Sequence, residues 1–105
     1  MTERNLLIMR LLTSLERIKD ECSGLGDCYI FGSILTQIAP GDIDILIVYD
    51  SNKTDLSNIS VLKKKLYQAI TGDLGKQIDL CTLSQSEAIQ SNFIVEENCQ
   101  FLFSL

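Results

Sequence analysis

The apolar positions of this chain change their spacing along the sequence, and the changes predict alternating helices and strands. From residue 2 to about residue 22 they recur at intervals of three and four, the spacing of one helix face. A second stretch with this spacing runs from about residue 56 to 71. Shorter apolar runs at residues 28–31, 43–49 and 77–83 are typical of strands.

Residues that favour turns and helix ends separate these elements. Pro40-Gly41 predicts a turn before the second strand, and residues 50–55 predict a polar loop after it. Ser33 is suited to cap a short helix of about two turns, and Ser84 a helix over residues 87–90. Glycines are expected to end the two long helices, Gly24 and Gly26 the first and Gly72 and Gly75 the second. The pattern of residues 93–105 is too mixed to assign.

Strands separated by helices predict a domain of the α/β or α+β class, with a small sheet covered by helices. The length of 105 residues fits a single domain over residues 1–105. The first helix carries more apolar residues than one buried face needs, among them Leu6, Leu7 and Met9. They either widen the core face or form a docking surface for a second chain.

Charge and residue types narrow the range of partners. The net charge of -5 disfavours a nucleic-acid partner, because nucleic-acid binding relies on basic residues that meet phosphates. We expect Lys63, Lys64 and Lys65 to form a solvated helix face. The chain has no histidine and its four cysteines have no CxxC spacing, so we expect no zinc site and reduced thiols in a cytoplasmic protein. No apolar run is long enough to predict a membrane span.

Two aspartates stand at the start of the second apolar run, in the segment "PGDIDILIVY". Residues i and i+2 of a strand point to the same face, so Asp42 and Asp44 are expected to converge. Two converging carboxylates suit a hard cation such as Mg²⁺ or Mn²⁺. The alternative is that a DxD sequence after Pro-Gly is only a solvated turn and strand edge.

Two other segments favour the metal-site interpretation. Asp79 lies in the third predicted strand, in "KQIDLCTL", where it could join Asp42 and Asp44 in holding two divalent ions for displacement at phosphorus. Gly32 and Ser33 precede a predicted helix, where a glycine lets a phosphate approach the backbone and free N–H groups can bind it.

The order of these segments resembles the nucleotidyltransferase superfamily, and within it the minimal nucleotidyltransferases (MNT type). The resemblance is carried by "FGS" at residues 31–33, "DIDILI" at 42–47 and "IDL" at 78–80, and it extends to "IVEENCQFLF" near the C-terminus. It covers nearly the whole chain and implies the nucleotidyltransferase (polymerase beta-like) fold.

The resemblance implies a reaction and a site. Asp42, Asp44 and Asp79 would bind Mg²⁺ or Mn²⁺, with Asp79 helping to activate the acceptor hydroxyl, and Gly32 and Ser33 would hold the triphosphate of ATP or another nucleotide. A nucleoside monophosphate would move to that hydroxyl with release of pyrophosphate. Many members are antitoxins that adenylylate a HEPN-type toxin, so we expect a HEPN-like protein partner or a homo-oligomer.

Departures from the family pattern keep other functions open. Residues 34–41 form a short loop without a basic residue, where the family commonly has one soon after the serine. The first alternative is therefore a catalytically weak or inactive binding module that acts by partner contact, and Lys53, Lys76 or a partner could instead supply the cation. The second alternative is an enzyme that modifies a small molecule, which would need an added domain or a dimer to complete its pocket.

Overall fold

Five helices and four strands form the part of the chain described by this computed structural model, residues 2–37 and 40–105. In chain order they are α1 (Glu3–Ile18), β1 (Asp27–Phe31), α2 (Ser33–Thr36), β2 (Ile43–Tyr49), α3 (Leu56–Leu74), β3 (Ile78–Ser84), α4 (Gln85–Ser91), α5 (Phe93–Glu96) and β4 (Gln100–Ser104).

The four strands form one mixed sheet in the order β3-β2-β1-β4. Strands β2 and β3 are parallel and are joined by α3, whereas β1 is antiparallel to both β2 and β4. The predicted mixed α/β class with a small sheet is confirmed.

Strand β2 is central, and its two faces differ. β-branched residues favour extended backbone, and here Ile43, Ile45 and Ile47 are fully buried in a core shared with α1 and α3. The alternate residues Leu46 and Val48 face the other side, where they pack with residues of α4 and α5. Asp44 precedes Leu46 and Val48 on this same face of β2, so a mostly apolar face has a carboxyl group at its start.

Helices α1 and α3 pack side by side and are also linked by Asp73 near the end of α3. Its carboxylate accepts hydrogen bonds from the buried Ser14 hydroxyl at 2.7 Å and from Arg17 at 2.6 Å, and its backbone carbonyl accepts one from Arg10 at 2.8 Å. The Arg17 and Ser14 hydrogen bonds lower the pKa of Asp73. On α1, Leu11, Leu15 and Ile18 are buried as the apolar spacing predicted, and Leu7 is buried with them, whereas Leu6 and Met9 stay exposed.

The observed ends of several elements differ from those predicted. Helix α3 continues through Gly72, because the packing of its buried face outweighs the weak helix propensity of one glycine, and it ends at Gly75 in the left-handed conformation with φ 63°. The unassigned C-terminal segment contains α5 and β4. No helix within the described ranges is long and apolar enough to cross a membrane.

A capping box fixes the point where β3 passes into α4. The Ser84 hydroxyl accepts a hydrogen bond from the backbone N–H of Glu87 at 3.1 Å, and the Glu87 carboxylate accepts one from the Ser84 N–H at 2.9 Å. We expect Ser84→Ala to lower the free energy of unfolding by about 1 kcal/mol in urea titrations, since a helix-capping hydroxyl is lost. Ser86→Ala, at an exposed position of the same helix, is the control. An equal loss in both variants would contradict a specific capping role.

Candidate active site

Asp44 and Asp79 are direct neighbours across the parallel strands β2 and β3. Side chains of residues paired in this way project from the same face of the sheet. Asp44 is half-buried and Asp79 is exposed. The two carboxyl groups are close enough for the charge of Asp79 to act on Asp44.

The surroundings of Asp44 disfavour its charge. Burial raises the pKa of Asp44 above its ordinary value, and the charge of Asp79 and a hydrogen bond with it raise that pKa further. Smaller contributions in the same direction come from the charges of Asp42 and Glu97. An ionised Asp44 is therefore at a disadvantage unless a positive charge joins it.

Asp42 lies in the bend just before β2 and is exposed. Among the described residues its carboxylate takes part in no hydrogen bond, whereas its backbone carbonyl accepts one from the Ser33 hydroxyl at 3.2 Å. Within residues 2–37 and 40–105, no three His, Cys, Asp or Glu side chains are gathered closely enough to hold a metal ion. Asp44 and Asp79 are thus paired across the two strands, and Asp42 lies near them in the preceding bend without completing a group of three ligands.

The aspartates nevertheless fit a hard divalent cation. All their donor atoms are oxygen, the atoms that Mg²⁺ and Mn²⁺ prefer. The ion pairs found in the described part of the chain, Arg17 with Asp73 and Lys76 with Glu3, involve none of the three aspartates. The charge of Asp42, Asp44 and Asp79 is therefore not balanced by a lysine or arginine of the described residues. A bound cation would relieve the repulsion at Asp44.

Gly32 is required by the position of Asp44. Its φ of 77° and ψ of -146° lie in a region that is nearly restricted to glycine. A Cβ atom added there would lie 2.1 Å from a carboxylate oxygen of Asp44. The glycine that was expected to let a phosphate approach therefore also makes room for this carboxyl group.

Helix α2 is shorter than expected and begins differently. It has a single turn, and its N-cap is Gly32 rather than the predicted Ser33. Ser33 is instead the first helical residue, and its hydroxyl donates to the Asp42 carbonyl, which ties the Gly-Ser step to the start of β2. Ile38 and Ala39, which belong to the loop before the Pro40-Gly41 turn, lie outside the described residues.

A cleft of about 590 Å³ opens beside Gly32, between α2 and the turn from α5 into β4. Glu96, Glu97 and Asn98 line its far side. Sequence reasoning did not select Glu97, because it lies far along the chain in a segment with no assigned structure. The pairing of β4 with β1 brings it close enough for its charge to act on Asp44.

Comparison with known proteins gives a match to a sequence family and a similarity in fold to a solved structure. Residues 13–104 match the family described as "Polymerase beta, Nucleotidyltransferase". A chain from the "Crystal structure the toxin-antitoxin MntA-HepT" is similar with a TM-score of 0.59 and 21% sequence identity. That likeness covers 92% of this chain and 72% of the other, and it shows a shared fold. A search of curated proteins found no match.

The matched segment contains the Gly-Ser step, all three aspartates and each of the four strands. Since it spans most of the sequence, this chain belongs to the polymerase beta nucleotidyltransferase family.

Proposed function

We propose that this protein is a metal-dependent nucleotidyltransferase that moves a nucleoside monophosphate, AMP from ATP, to a hydroxyl group on a partner protein. The observation that carries the proposal is the pairing of Asp44 with Asp79 on adjacent strands, with no basic side chain of the described residues in an ion pair with either. Membership of the nucleotidyltransferase family supports it.

Asp42, Asp44 and Asp79 would hold Mg²⁺ or Mn²⁺. When bound, the metal would neutralise phosphate charge and lower the pKa of the attacking hydroxyl. The hydroxyl oxygen then attacks the α-phosphorus of the nucleotide, and the bond from that phosphorus to the pyrophosphate oxygen breaks. Asp79, which is exposed on the edge strand β3, would take the hydroxyl proton. The products are a nucleotidylated partner and pyrophosphate.

Gly32 and Ser33 would bind the triphosphate. Gly32 presents backbone without a side chain beside Asp44, and Ser33 offers a hydroxyl next to it, at the start of β2. The sequence of residues 34–41 contains no basic residue. The phosphate charge would therefore be balanced by metal ions, or by a cation from outside this segment such as Lys53, Lys76 or a partner residue.

The partner we propose is a HEPN-like toxin, with this chain as its antitoxin. The shared fold with a chain of the MntA-HepT toxin-antitoxin structure supports this pairing. An acidic chain with exposed Leu6 and Met9 on α1 is suited to binding a second protein. A cytoplasmic setting, in which thiols stay reduced, fits the four free cysteines.

A second candidate is a binding module that keeps this fold and neutralises its partner by contact alone. The loop without a basic residue favours it, and so does the absence, within the described ranges, of three side chains already gathered around a metal position. The two functions differ in whether the aspartates matter for anything beyond stability.

The direct test is calorimetric titration of α,β-methylene-ATP, which cannot transfer its AMP, into the purified protein with Mg²⁺ and with EDTA. We expect binding only with Mg²⁺ and loss of at least about tenfold in affinity in Asp44→Asn, because a carboxylate that would hold the metal loses its charge. Asp20→Asn, which removes one charge at an exposed position after α1, is the control and should bind like the wild type.

Transfer is measured in the same preparations with ATP labelled at the α-phosphorus and a co-purified HEPN-like protein. Label on that protein, lost in Asp44→Asn and kept in Asp20→Asn, is the expected result. If the folded wild type neither binds the analogue nor labels the partner while still suppressing it, the contact-only binding module is correct.

The raised pKa of Asp44 predicts that this proposed metal ligand makes the metal-free protein less stable at neutral pH. The folded state binds the proton of the Asp44 carboxyl group more tightly than the unfolded chain does. The contribution of Asp44 to stability is therefore most favourable at low pH. It declines as pH rises through the ordinary carboxyl pKa of the unfolded chain and then through the raised pKa of the folded state. In EDTA at pH 7, Asp44→Asn is therefore expected to melt at a higher temperature than the wild type. The difference should shrink toward about pH 3, where both states are protonated. A lower melting temperature for Asp44→Asn at pH 7 would contradict the repulsion.

Gly32→Ala tests the contact between the glycine and Asp44. The new Cβ would meet the Asp44 carboxylate and the backbone would be strained, so we expect a loss of about 1–3 kcal/mol in unfolding free energy and loss of Mg²⁺-dependent nucleotide binding. Gly41→Ala, in the same connection but with open space around it, should change stability by no more than about 0.5 kcal/mol. Equal behaviour of the two variants would refute the steric requirement at Gly32.

A further inference from the structure

A groove of about 500 Å³ runs between α3 and the edge of the sheet formed by β3. One wall is a stripe of α3 whose residues are three or four positions apart, namely Ser60, Lys63, Lys64 and Tyr67. The other wall is the continuous segment Gln77, Ile78, Asp79 and Leu80. We call this feature the α3–β3 groove.

The β3 wall of the groove is an unpaired strand edge. In the sheet order β3-β2-β1-β4, strand β3 pairs only with β2, and no other strand of the described residues lies on its outer side. Successive side chains of a strand point to opposite faces, so four consecutive residues can line one groove only if their backbone contributes. The groove therefore offers unpaired N–H and C=O groups, which form a template for a further strand.

The α3 wall is positively charged in an acidic protein. Lys63 and Lys64 line the groove, and since Lys64 is exposed and Lys63 half-buried, part of the predicted solvated lysine face forms this wall. Neither forms an ion pair with a carboxylate of the described residues. Two lysines beside an open strand edge are complementary to an extended segment that carries negative side chains.

The groove also reaches the candidate active site. Asp79 belongs both to the groove wall and to the carboxylate pair with Asp44. Tyr67, which is 42% exposed, offers an aromatic surface on the opposite wall. The Asp79 carboxylate projects with Asp44 from the sheet face opposite α3, so a strand paired with β3 would carry every second side chain on that face, beside the proposed transfer centre.

We propose that the α3–β3 groove binds an extended acidic segment of a partner protein, and that this segment pairs with β3 as a fifth strand. The negative side chains of the segment lie against Lys63 and Lys64, and its acceptor hydroxyl lies next to Asp79. Main-chain pairing supplies affinity, and the lysines select for acidic side chains. The acceptor role rests on the proposed function, whereas the binding of the segment does not.

A peptide fits this groove better than a nucleic acid does. The repeating N–H and C=O groups of a strand edge match another peptide backbone, and a phosphodiester chain has no equivalent donors. The net charge of -5 and the carboxylate of Asp79 also oppose a polyanion with charge along its whole length. An acidic peptide can place an uncharged tyrosine or serine beside Asp79.

The test uses a fluorescein-labelled peptide that alternates Glu with Val and carries one Tyr, compared with the same peptide in which Lys replaces Glu. Anisotropy titration at low salt should show binding of the Glu peptide and not of the Lys peptide. Lys64→Glu should weaken binding on the order of tenfold, because an attraction becomes a repulsion. Lys65→Glu makes the same charge change on α3 outside the groove and should change binding less than about twofold.

Hydrogen exchange distinguishes strand pairing from simple charge attraction. The outward-facing backbone amides of residues 78–83 should exchange more slowly when the Glu peptide is bound. The proposal is overturned if these amides are unaffected, if the Lys peptide binds equally well, or if a dT oligonucleotide binds the same lysines more tightly than the peptide.

The proposed function and this inference fail separately. Asp44→Asn should keep the Glu peptide bound while it loses Mg²⁺-dependent nucleotide binding, since Asp44 is outside the groove lining. Nucleotide binding without peptide binding would overturn only the groove proposal. Peptide binding and β3 protection without nucleotide binding would support the groove and overturn the nucleotidyltransferase proposal.

Discussion

The repulsion between two carboxyl groups on adjacent parallel strands is the constraint around which the site is arranged. Asp44 and Asp79 face each other across β2 and β3, and burial adds to the disadvantage of the Asp44 charge. Gly32 leaves room for this carboxyl group at a backbone conformation that other residues rarely adopt. That the fold maintains such a pair without a lysine or arginine partner among the described residues is the observation on which the proposed cation site rests.

Packing on both faces of the sheet fixes the positions of Asp44 and Asp79. The isoleucines of β2 are buried against α1 and α3, so the strand cannot shift its register without exposing them. The same register fixes Asp44 opposite Asp79. On the other face, the aromatic ring of Phe31 meets that of Phe93 at a centroid distance of 5.3 Å, which joins β1 to the start of α5. The C-terminal segment thereby brings Glu97 toward the site.

Much of the fold was predictable because its signals are local. The bounds of β2 were predicted correctly, since a turn precedes its continuous apolar run and a polar loop follows it. Gly72 was wrongly taken as a helix end, because the packing of α3 outweighs the weak helix propensity of one glycine. Strand β4, Glu97 and the groove position of Lys64 depend on contacts between distant segments, which residue spacing does not specify. The three aspartates were selected from the sequence, but only the fold shows which two are paired.

The most direct measurement of the central claim is the anomalous scattering of Mn²⁺ in crystals grown with Mn²⁺ and α,β-methylene-ATP. A peak within coordination distance of both Asp44 and Asp79, with Asp42 turned toward it and nucleotide phosphate on its other side, is the predicted result. Crystals that contain the ordered nucleotide or Mn²⁺ elsewhere, with the Asp44 and Asp79 carboxyl groups still paired without metal, would contradict the claim that these carboxyl groups are metal ligands.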